Sequence, residues 1–173
     1  IEAKKNEKLY IDFNNLPEKF LLFPLNQPVD EQLLLRAPGF EDNYKNLLFV
    51  MNNLDEKVTL IVKEHPVNPG MVESRKIIEL MSEYKNIYFI SPSIPLRKIL
   101  RKSLGLVTIN STSGLESLLI NKNVLALGMG YYKKLESVHT IDNNQPKDIF
   151  KSMCQEKTTV NPNEIDLLLQ KIL

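Results

Sequence analysis

The sequence has little cysteine and little histidine, and this narrows the chemistry open to it. Cys154 is the one cysteine among 173 residues, so neither an internal disulfide nor a zinc site of several cysteines can form. The only histidines are His65 and His139, which disfavours a histidine-rich metal site. We therefore expect no metal ion and no required cofactor. A single cysteine also fits a reducing compartment such as the cytoplasm.

A large charge of one sign and long apolar runs are missing as well. The formal net charge is +1, which creates no field to gather nucleic acid, so nucleic acid is not an expected partner. Apolar runs such as Phe20 to Phe23 are far shorter than the ~18–20 residues that span a bilayer. The hydrophobic fraction of 43% is ordinary, and it is enough to bury a core.

Short apolar segments alternate with longer amphipathic ones. Five apolar segments bounded by Pro, Gly, Asn or charge predict buried strands at 19–24, 58–63, 86–90, 104–109 and 123–127. Apolar spacings of three and four predict helices at 41–54, 72–84, 95–102, 115–121, 146–153 and 161–172. Residues 128–145 are predicted to be an irregular connection.

This alternation predicts an α/β fold, a Rossmann-like doubly wound parallel sheet of about five to six strands with helices on both faces. We expect the domain to span residues 19–173, with residues 1–18 as a linker or edge segment. In the common strand order 3-2-1-4-5, ligands bind outside the carboxyl ends of the strands, where the order reverses. A site is therefore expected just after Pro24, Lys63 and Ile109.

The loop after the fourth predicted strand is rich in hydroxyl groups. It reads Asn110-Ser111-Thr112-Ser113-Gly114-Leu115-Glu116. Free N–H groups at a helix start favour an anion, hydroxyls donate to phosphate oxygens, and Gly114 lets a ligand approach the backbone. The alternative is capping, because Ser113 and Glu116 fit an S-x-x-E capping box. Capping does not require Ser111 or Thr112, and Glu116 could instead bind a ribose hydroxyl.

The second predicted strand ends in Lys63-Glu64-His65-Pro66. Pro66 favours an extended conformation for His65, which places the imidazole near the same crevice. There it could donate to a phosphate or protonate a leaving phosphate oxygen, so His65 is the candidate catalytic residue. The alternative is a histidine bonded to a nearby carbonyl that closes the turn. Lys63 is a further candidate, although Lys63 and Glu64 could simply pair or face water.

The loops after the first and fifth strands supply further candidates. Gln27 and Asn26 could bind a ligand through amide hydrogen bonds, while Asp30 in the same loop suits a helix cap. Gly128 opens the backbone after the fifth strand, and Tyr131 could stack on a base or sugar or pack on the sheet rim.

Several nucleotide and hydrolase motifs are absent. The chain contains no GxxxxGK[ST] loop, no GxSxG elbow and no Asp-x-Asp pair. A bound phosphate would therefore depend on hydroxyls and a helix end rather than on a metal ion.

These residues resemble bacterial capsule polysaccharide biosynthesis proteins, a group that includes Kdo (3-deoxy-manno-octulosonate) transferases. The resemblance covers roughly residues 19–140 and is carried by Phe23 to Gln27, Lys63 to Pro66, Asn110 to Leu118, and Val124 to Gly128 before Tyr131 and Tyr132. The His-Pro pair with the Ser/Thr pair is also similar to CMP-binding motifs of bacterial sialyltransferases.

The resemblance implies a GT-B glycosyltransferase in which two Rossmann-like domains face a cleft, with this chain as the C-terminal, nucleotide-sugar-binding half. It implies CMP-Kdo or another CMP-activated acidic sugar as donor. His65 and Ser111 to Ser113 would then hold the phosphate, while Glu116 or Gln27 would bind ribose or base.

The resemblance also implies an N-terminal domain for a glycan or glycolipid acceptor, which 173 residues cannot include, so we expect no turnover by this chain alone. Its members work in the cytoplasm at the inner face of the inner membrane, so peripheral membrane association is an expectation. Two alternatives stay open: half of a UDP-sugar transferase or 2-epimerase, and a non-catalytic partner-binding α/β domain.

Overall fold

The computed structural model describes residues 1–27, 37–141, 145–155 and 160–172. The strands in these ranges are β1 (Tyr10–Ile11), β2 (Phe20–Pro24), β3 (Thr59–Lys63), β4 (Ile87–Ile90), β5 (Gly105–Thr108), β6 (Asn123–Ala126) and β7 (Val138–Thr140). The helices are α1 (Glu2–Asn6), α2 (Asn43–Asn53), α3 (Ser74–Glu83), α4 (Leu96–Lys102), α5 (Ser113–Leu118), α6 (Pro146–Gln155) and α7 (Pro162–Ile172). Two short 3-10 turns cover Glu7–Leu9 and Phe13–Asn15.

All seven strands of the described residues form one parallel sheet in the order β1-β4-β3-β2-β5-β6-β7. The five predicted strands are β2 to β6, and they lie in the predicted order 3-2-1-4-5. The register pairs Pro24 with Lys63 and Leu22 with Leu106, so β2 stands between β3 and β5. The order reverses at β2, and this places the predicted crevice beside the ends of these three strands.

The sheet is larger than predicted because of a short strand at each edge. β1 lies within residues 1–18 and pairs with β4, whereas β7 lies within the segment 128–145 that was predicted to be irregular. Both strands are only two or three residues long and largely half-buried. Such short segments have too few apolar residues to produce a strand pattern.

The core forms because side chains of the central strands alternate between the two faces of the sheet. Leu21 and Phe23 of β2 point toward the face covered by α2, α3 and α6, where Leu47, Ile77 and Phe150 are fully buried. Their neighbours Phe20 and Leu22 point toward α4 on the opposite face. The strand ends are therefore held on a rigid, close-packed base.

Two predicted details differ near the site. Helix α5 begins at Ser113, two residues before the predicted start at Leu115, so Gly114 is inside the helix. Pro95 precedes α4 rather than occupying its first turn. The predicted cap at Asp30 lies outside the described residues.

None of the helices in the described ranges is long and apolar enough to cross a membrane.

Candidate functional site

A cavity of about 810 Å³ lies at the carboxyl edge of the sheet, surrounded by the loops that follow β2 to β6. This volume is within the usual range for a small-molecule site. Its lining comprises Pro24 to Gln27, Lys63 to Pro66, Pro92 to Leu96, Asn110 to Ser113, Glu116, and Met129 to Tyr131. The three strand ends at which a ligand was expected therefore do meet in one cavity.

Most of the predicted site residues line this cavity. They are Gln27, Lys63, His65, Pro66, Asn110, Ser111, Thr112, Ser113, Glu116 and Tyr131. The topology brings them together because parallel strands all present their carboxyl ends at one edge. What these residues bind stays a prediction.

Two predicted site residues, Gly114 and Gly128, lie outside the lining. A Cβ at Gly114 would overlap the ring of Tyr132, which is fully buried. A Cβ at Gly128 would lie 2.7 Å from the Cβ of Ala37 and 3.0 Å from the carbonyl oxygen of Ile109. Internal packing is therefore sufficient to explain both glycines.

The hydroxyl-rich loop is fixed by its own hydrogen bonds. The Tyr132 hydroxyl donates to the carbonyl oxygen of Ser111 at 2.6 Å. The Ser111 Oγ accepts from the Ser113 hydroxyl at 3.0 Å and from the Ser113 N–H at 3.3 Å. Among the described residues nothing accepts the Ser111 hydroxyl hydrogen, so it can donate to a ligand.

The capping box considered as the alternative for this loop is not formed in the described residues. Thr112 precedes α5 and its side chain makes no capping hydrogen bond, whereas the Ser111 Oγ accepts from the N–H of Ser113, the first residue of the helix. Ser113 already lies within the helix, where it donates to Ser111 rather than accepting from the backbone. Glu116 is exposed, lines the cavity and lies near Tyr131, whose pKa is raised by burial and then by the charge of Glu116.

Lys63 and Glu64 do not pair with each other and do not face water, which were the two alternatives to a binding role. Lys63 is 5% exposed and donates from Nζ to the carbonyl oxygen of Pro92 at 2.9 Å; burial lowers its pKa. Glu64 is 1% exposed and accepts from the N–H groups of Gly70 at 3.1 Å and Val72 at 3.3 Å.

Glu64 also ties the start of the chain to the site. Its carboxylate accepts from the Tyr10 hydroxyl and from the Asn6 amide nitrogen. Burial, followed by the hydrogen bond to Glu64, raises the pKa of Tyr10. The buried carboxylate therefore connects residues 6–10 to the segment that carries His65.

His65 makes two contacts through Nδ1. The amide nitrogen of Gln27 lies 3.2 Å from it, and the N–H of Val67 donates to it at 3.3 Å. The turn is closed by the N–H of Asn68, which donates to the His65 carbonyl oxygen at 3.1 Å. Within the described ranges the ring bonds no carbonyl oxygen, so the alternative of a ring-to-carbonyl bond is wrong. Burial, and then the charge of Lys63, lowers the pKa of His65.

Sequence reasoning missed the loop after β4, which contributes Pro92, Ser93, Ile94 and Pro95 to the lining. The available signal was topological, because the third predicted strand neighbours the second and its Ser-Pro-Ser-Ile-Pro loop must reach the same edge.

Asn26, which the sequence analysis named beside Gln27, also lines the cavity. Its amide donates to the side-chain oxygen of Asn110 at 3.0 Å and so links the ends of β2 and β5.

No set of metal ligands is evident in the described part of the chain. The described residues contain no group of three or more His, Cys, Asp or Glu side chains arranged to hold one.

The model of a protein family, capsule polysaccharide biosynthesis protein, matches residues 1–170 of the chain. The chain belongs to this family. The capsule polysaccharide modification protein LipB of Neisseria meningitidis is 34% identical over 122 residues, which are 66% of this chain and 29% of LipB. The capsule polysaccharide export protein KpsS of Escherichia coli is 28% identical over 127 residues, 69% of this chain and 32% of KpsS. The chain thus spans about a third or less of these relatives.

Two solved structures share the fold. They are Thermosulfurimonas dismutans KpsC structures, described as the beta Kdo 2,7 transferase and the beta Kdo 2,4 transferase. The first has a TM-score of 0.59 at 16% identity, and the match covers 92% of this chain and 55% of the KpsC chain. The second has a TM-score of 0.58 at 15% identity, and the match covers 97% of this chain and 60% of the KpsC chain. The predicted family and the predicted Rossmann-like α/β fold are both confirmed.

Proposed function

We propose that this chain is the donor-binding domain of a bacterial glycosyltransferase that transfers a CMP-activated acidic sugar, Kdo or a sialic-acid-like sugar, in capsule or surface polysaccharide synthesis. One observation carries most of the proposal: His65 and the Ser111 to Ser113 loop line a single cavity where the strand order reverses. The family match and the KpsC fold agree with it.

The lining suits a phosphate monoester. Ser111 and Thr112 offer neutral hydroxyl donors, and Lys63 brings a buried positive charge to the same wall. A departing CMP gains negative charge as its bond to the sugar breaks. Donors aimed at the phosphate then bind it more strongly, which lowers the barrier without a metal ion.

The nucleoside would lie toward Glu116 and Tyr131. An exposed carboxylate can accept hydrogen bonds from ribose hydroxyls, and Tyr131 offers a ring for stacking. Gln27 is less suited to this task than first expected, because its amide nitrogen is already directed at His65.

The remaining parts of the proposal concern the whole protein. The chain spans about a third or less of its relatives, so a glycan or glycolipid acceptor would be bound by another domain, and the chain alone would not turn over. A cytoplasmic location with peripheral association at the inner face of the inner membrane follows from the family resemblance alone.

Titration calorimetry with CMP, UDP and GDP tests this proposal. We expect CMP to bind best. The double variant Ser111→Ala/Thr112→Ala should weaken CMP binding about tenfold to a hundredfold, because a hydrogen bond to a charged group contributes roughly 1.5–3 kcal/mol. Ser82→Ala, which removes an exposed hydroxyl on α3 whose one partner among the described residues is the Glu79 carbonyl, serves as the control.

Other outcomes would contradict the proposal in different ways. Preference for UDP would support a UDP-sugar transferase or epimerase half. A folded chain that binds none of the three nucleotides at millimolar concentration would favour a non-catalytic partner-binding domain.

A further inference from the structure

The backbone turn that follows β3 contacts the imidazole of His65 directly. Pro66 occupies the second position of the turn, where its fixed φ is favoured. Val67 occupies the third position, and its N–H is directed back to Nδ1 of His65 at 3.3 Å. The His-Pro sequence therefore sets the state of the ring as well as the path of the chain.

The contact with Val67 decides which ring nitrogen carries the proton. A backbone N–H can only donate, so Nδ1 must be the unprotonated, accepting nitrogen. In a neutral imidazole the proton is then on Nε2. Gln27 adds a second donor, because its amide nitrogen lies 3.2 Å from the same Nδ1.

The other ring nitrogen is left for a ligand. His65 lines the cavity, and none of the described residues makes a hydrogen bond to its Nε2. Among the described residues, Lys63 from β3 is the charged group that acts on the ring, and its charge disfavours the imidazolium; the hydrogen-bond partner Gln27, from the end of β2, is uncharged. A neutral ring that donates from Nε2 is consistent with all of these neighbours.

The geometry points to Gln27 as a positioning residue that, with the Val67 N–H, holds His65 as a neutral imidazole and leaves its Nε2–H for the ligand. The identity of that ligand, a phosphate group, rests on the proposed function. This positioning role differs from the binding of ribose or base that was expected for Gln27. It also makes His65 a hydrogen-bond donor to the phosphate rather than an acid that gives up its proton.

Nitrogen NMR of the histidine side chains in the ligand-free chain tests the inference directly. The chain has only two histidines, so a His139→Gln variant assigns the spectrum. At neutral pH we expect the Nε2 resonance of His65 to be that of a protonated nitrogen and the Nδ1 resonance that of an unprotonated one. The opposite assignment would overturn the inference.

Two substitutions test the part played by Gln27. In Gln27→Glu the new carboxylate can only accept, so it competes with the Val67 N–H for Nδ1; the proton should appear on Nδ1 with loss of the Val67 contact, and the pKa of His65 should rise by about one unit. Gln27→Leu removes the donor without adding charge; it should keep the proton on Nε2 but weaken CMP binding about tenfold. Gln145→Glu adds the same charge at an exposed position and should change neither property.

The results separate the inference from the proposed function. Gln27 does not position His65 if the folded Gln27→Glu variant has the same His65 tautomer and His65 pKa as the parent chain. The same conclusion follows if Gln27→Leu binds CMP as tightly as the parent chain does. If the parent chain binds no CMP, the proposed function fails, while the NMR experiment still decides the state of the ring.

Discussion

Lys63 is a buried cation whose contacts within the described residues include no carboxylate. Its Nζ donates to the Pro92 carbonyl, and Glu64, the next residue, is directed to other partners. Burying a charge without an ion partner costs free energy, and a cation kept at a cavity wall despite that cost suits an anionic ligand. Burial, and then the same charge, lowers the pKa of His65, so two of the groups proposed to hold the phosphate are coupled.

Replacing Lys63 with Met should separate binding from stability. We expect the free energy of unfolding to change by less than about 1.5 kcal/mol, because the loss of one hydrogen bond is offset by the removal of a buried charge. CMP binding should weaken at least about tenfold. Urea unfolding and calorimetry measure the two effects. Unchanged CMP affinity in the folded variant would exclude Lys63 from the phosphate site.

At the scale of elements, the sequence was informative where structure depends on near neighbours. The apolar runs of β2 to β6 identify strands because nearly all residues of those strands are buried, on both faces of the sheet. The start of α5 was misplaced because Ser113 and Gly114 look like loop residues. They are helical beneath Tyr132, a residue almost twenty positions away whose ring fills the space beside Gly114.

The same limit applies to the site. Topology predicted that His65 and Ser111 share a cavity, because strand order alone determines which loops meet. The partners of Lys63 and Glu64 could not be predicted, since they depend on Pro92 and on Tyr10, which are distant in sequence. Local patterns predict which element carries a side chain, but long-range packing decides what it contacts.

Helix α3 receives its first-turn partner from another element. The Glu2 carboxylate accepts from the Ser74 N–H at 3.0 Å and from the Ser74 hydroxyl at 2.8 Å. Hydrogen bonds from Lys5 and then from Ser74 lower the pKa of Glu2 from 4.5 to about 2. Because the folded-state pKa is depressed, this carboxylate stabilises the fold fully above pH 4.5 and loses that effect as the pH falls toward 2.

Thermal unfolding across this pH range tests the contact. Glu2→Gln should unfold at a lower temperature than the parent chain at pH 7. This difference in unfolding temperature should disappear as the pH falls from about 4.5 to 2. Glu7→Gln, an exposed change in the same segment, is the matched control. A gap that stays constant with pH would show that the charge of Glu2 is not involved.

At the scale of the whole molecule, the first residues of the chain are part of the structure that supports the cavity. Asn6 and Tyr10 reach the buried carboxylate of Glu64, the residue immediately before His65. Asn6 also donates to the Val72 carbonyl at 2.9 Å, and β1 extends the sheet beside β4. We therefore propose that a domain beginning at residue 19 lacks contacts on which the site depends.

Deleting residues 1–12 should lower the free energy of unfolding by about 2 kcal/mol or more, because the Glu64 carboxylate loses hydrogen bonds while it stays largely buried. The loop that carries His65 should loosen with it, so CMP affinity should fall further than the stability loss alone explains. Glu64→Gln in the full chain should reproduce the weaker binding in part, because a neutral amide accepts less strongly from Tyr10 and from the N–H groups of Gly70 and Val72. Urea unfolding and CMP titration of the three proteins provide the measurements. A shortened chain that unfolds at the same urea concentration and binds CMP equally well would show that the domain begins after this segment.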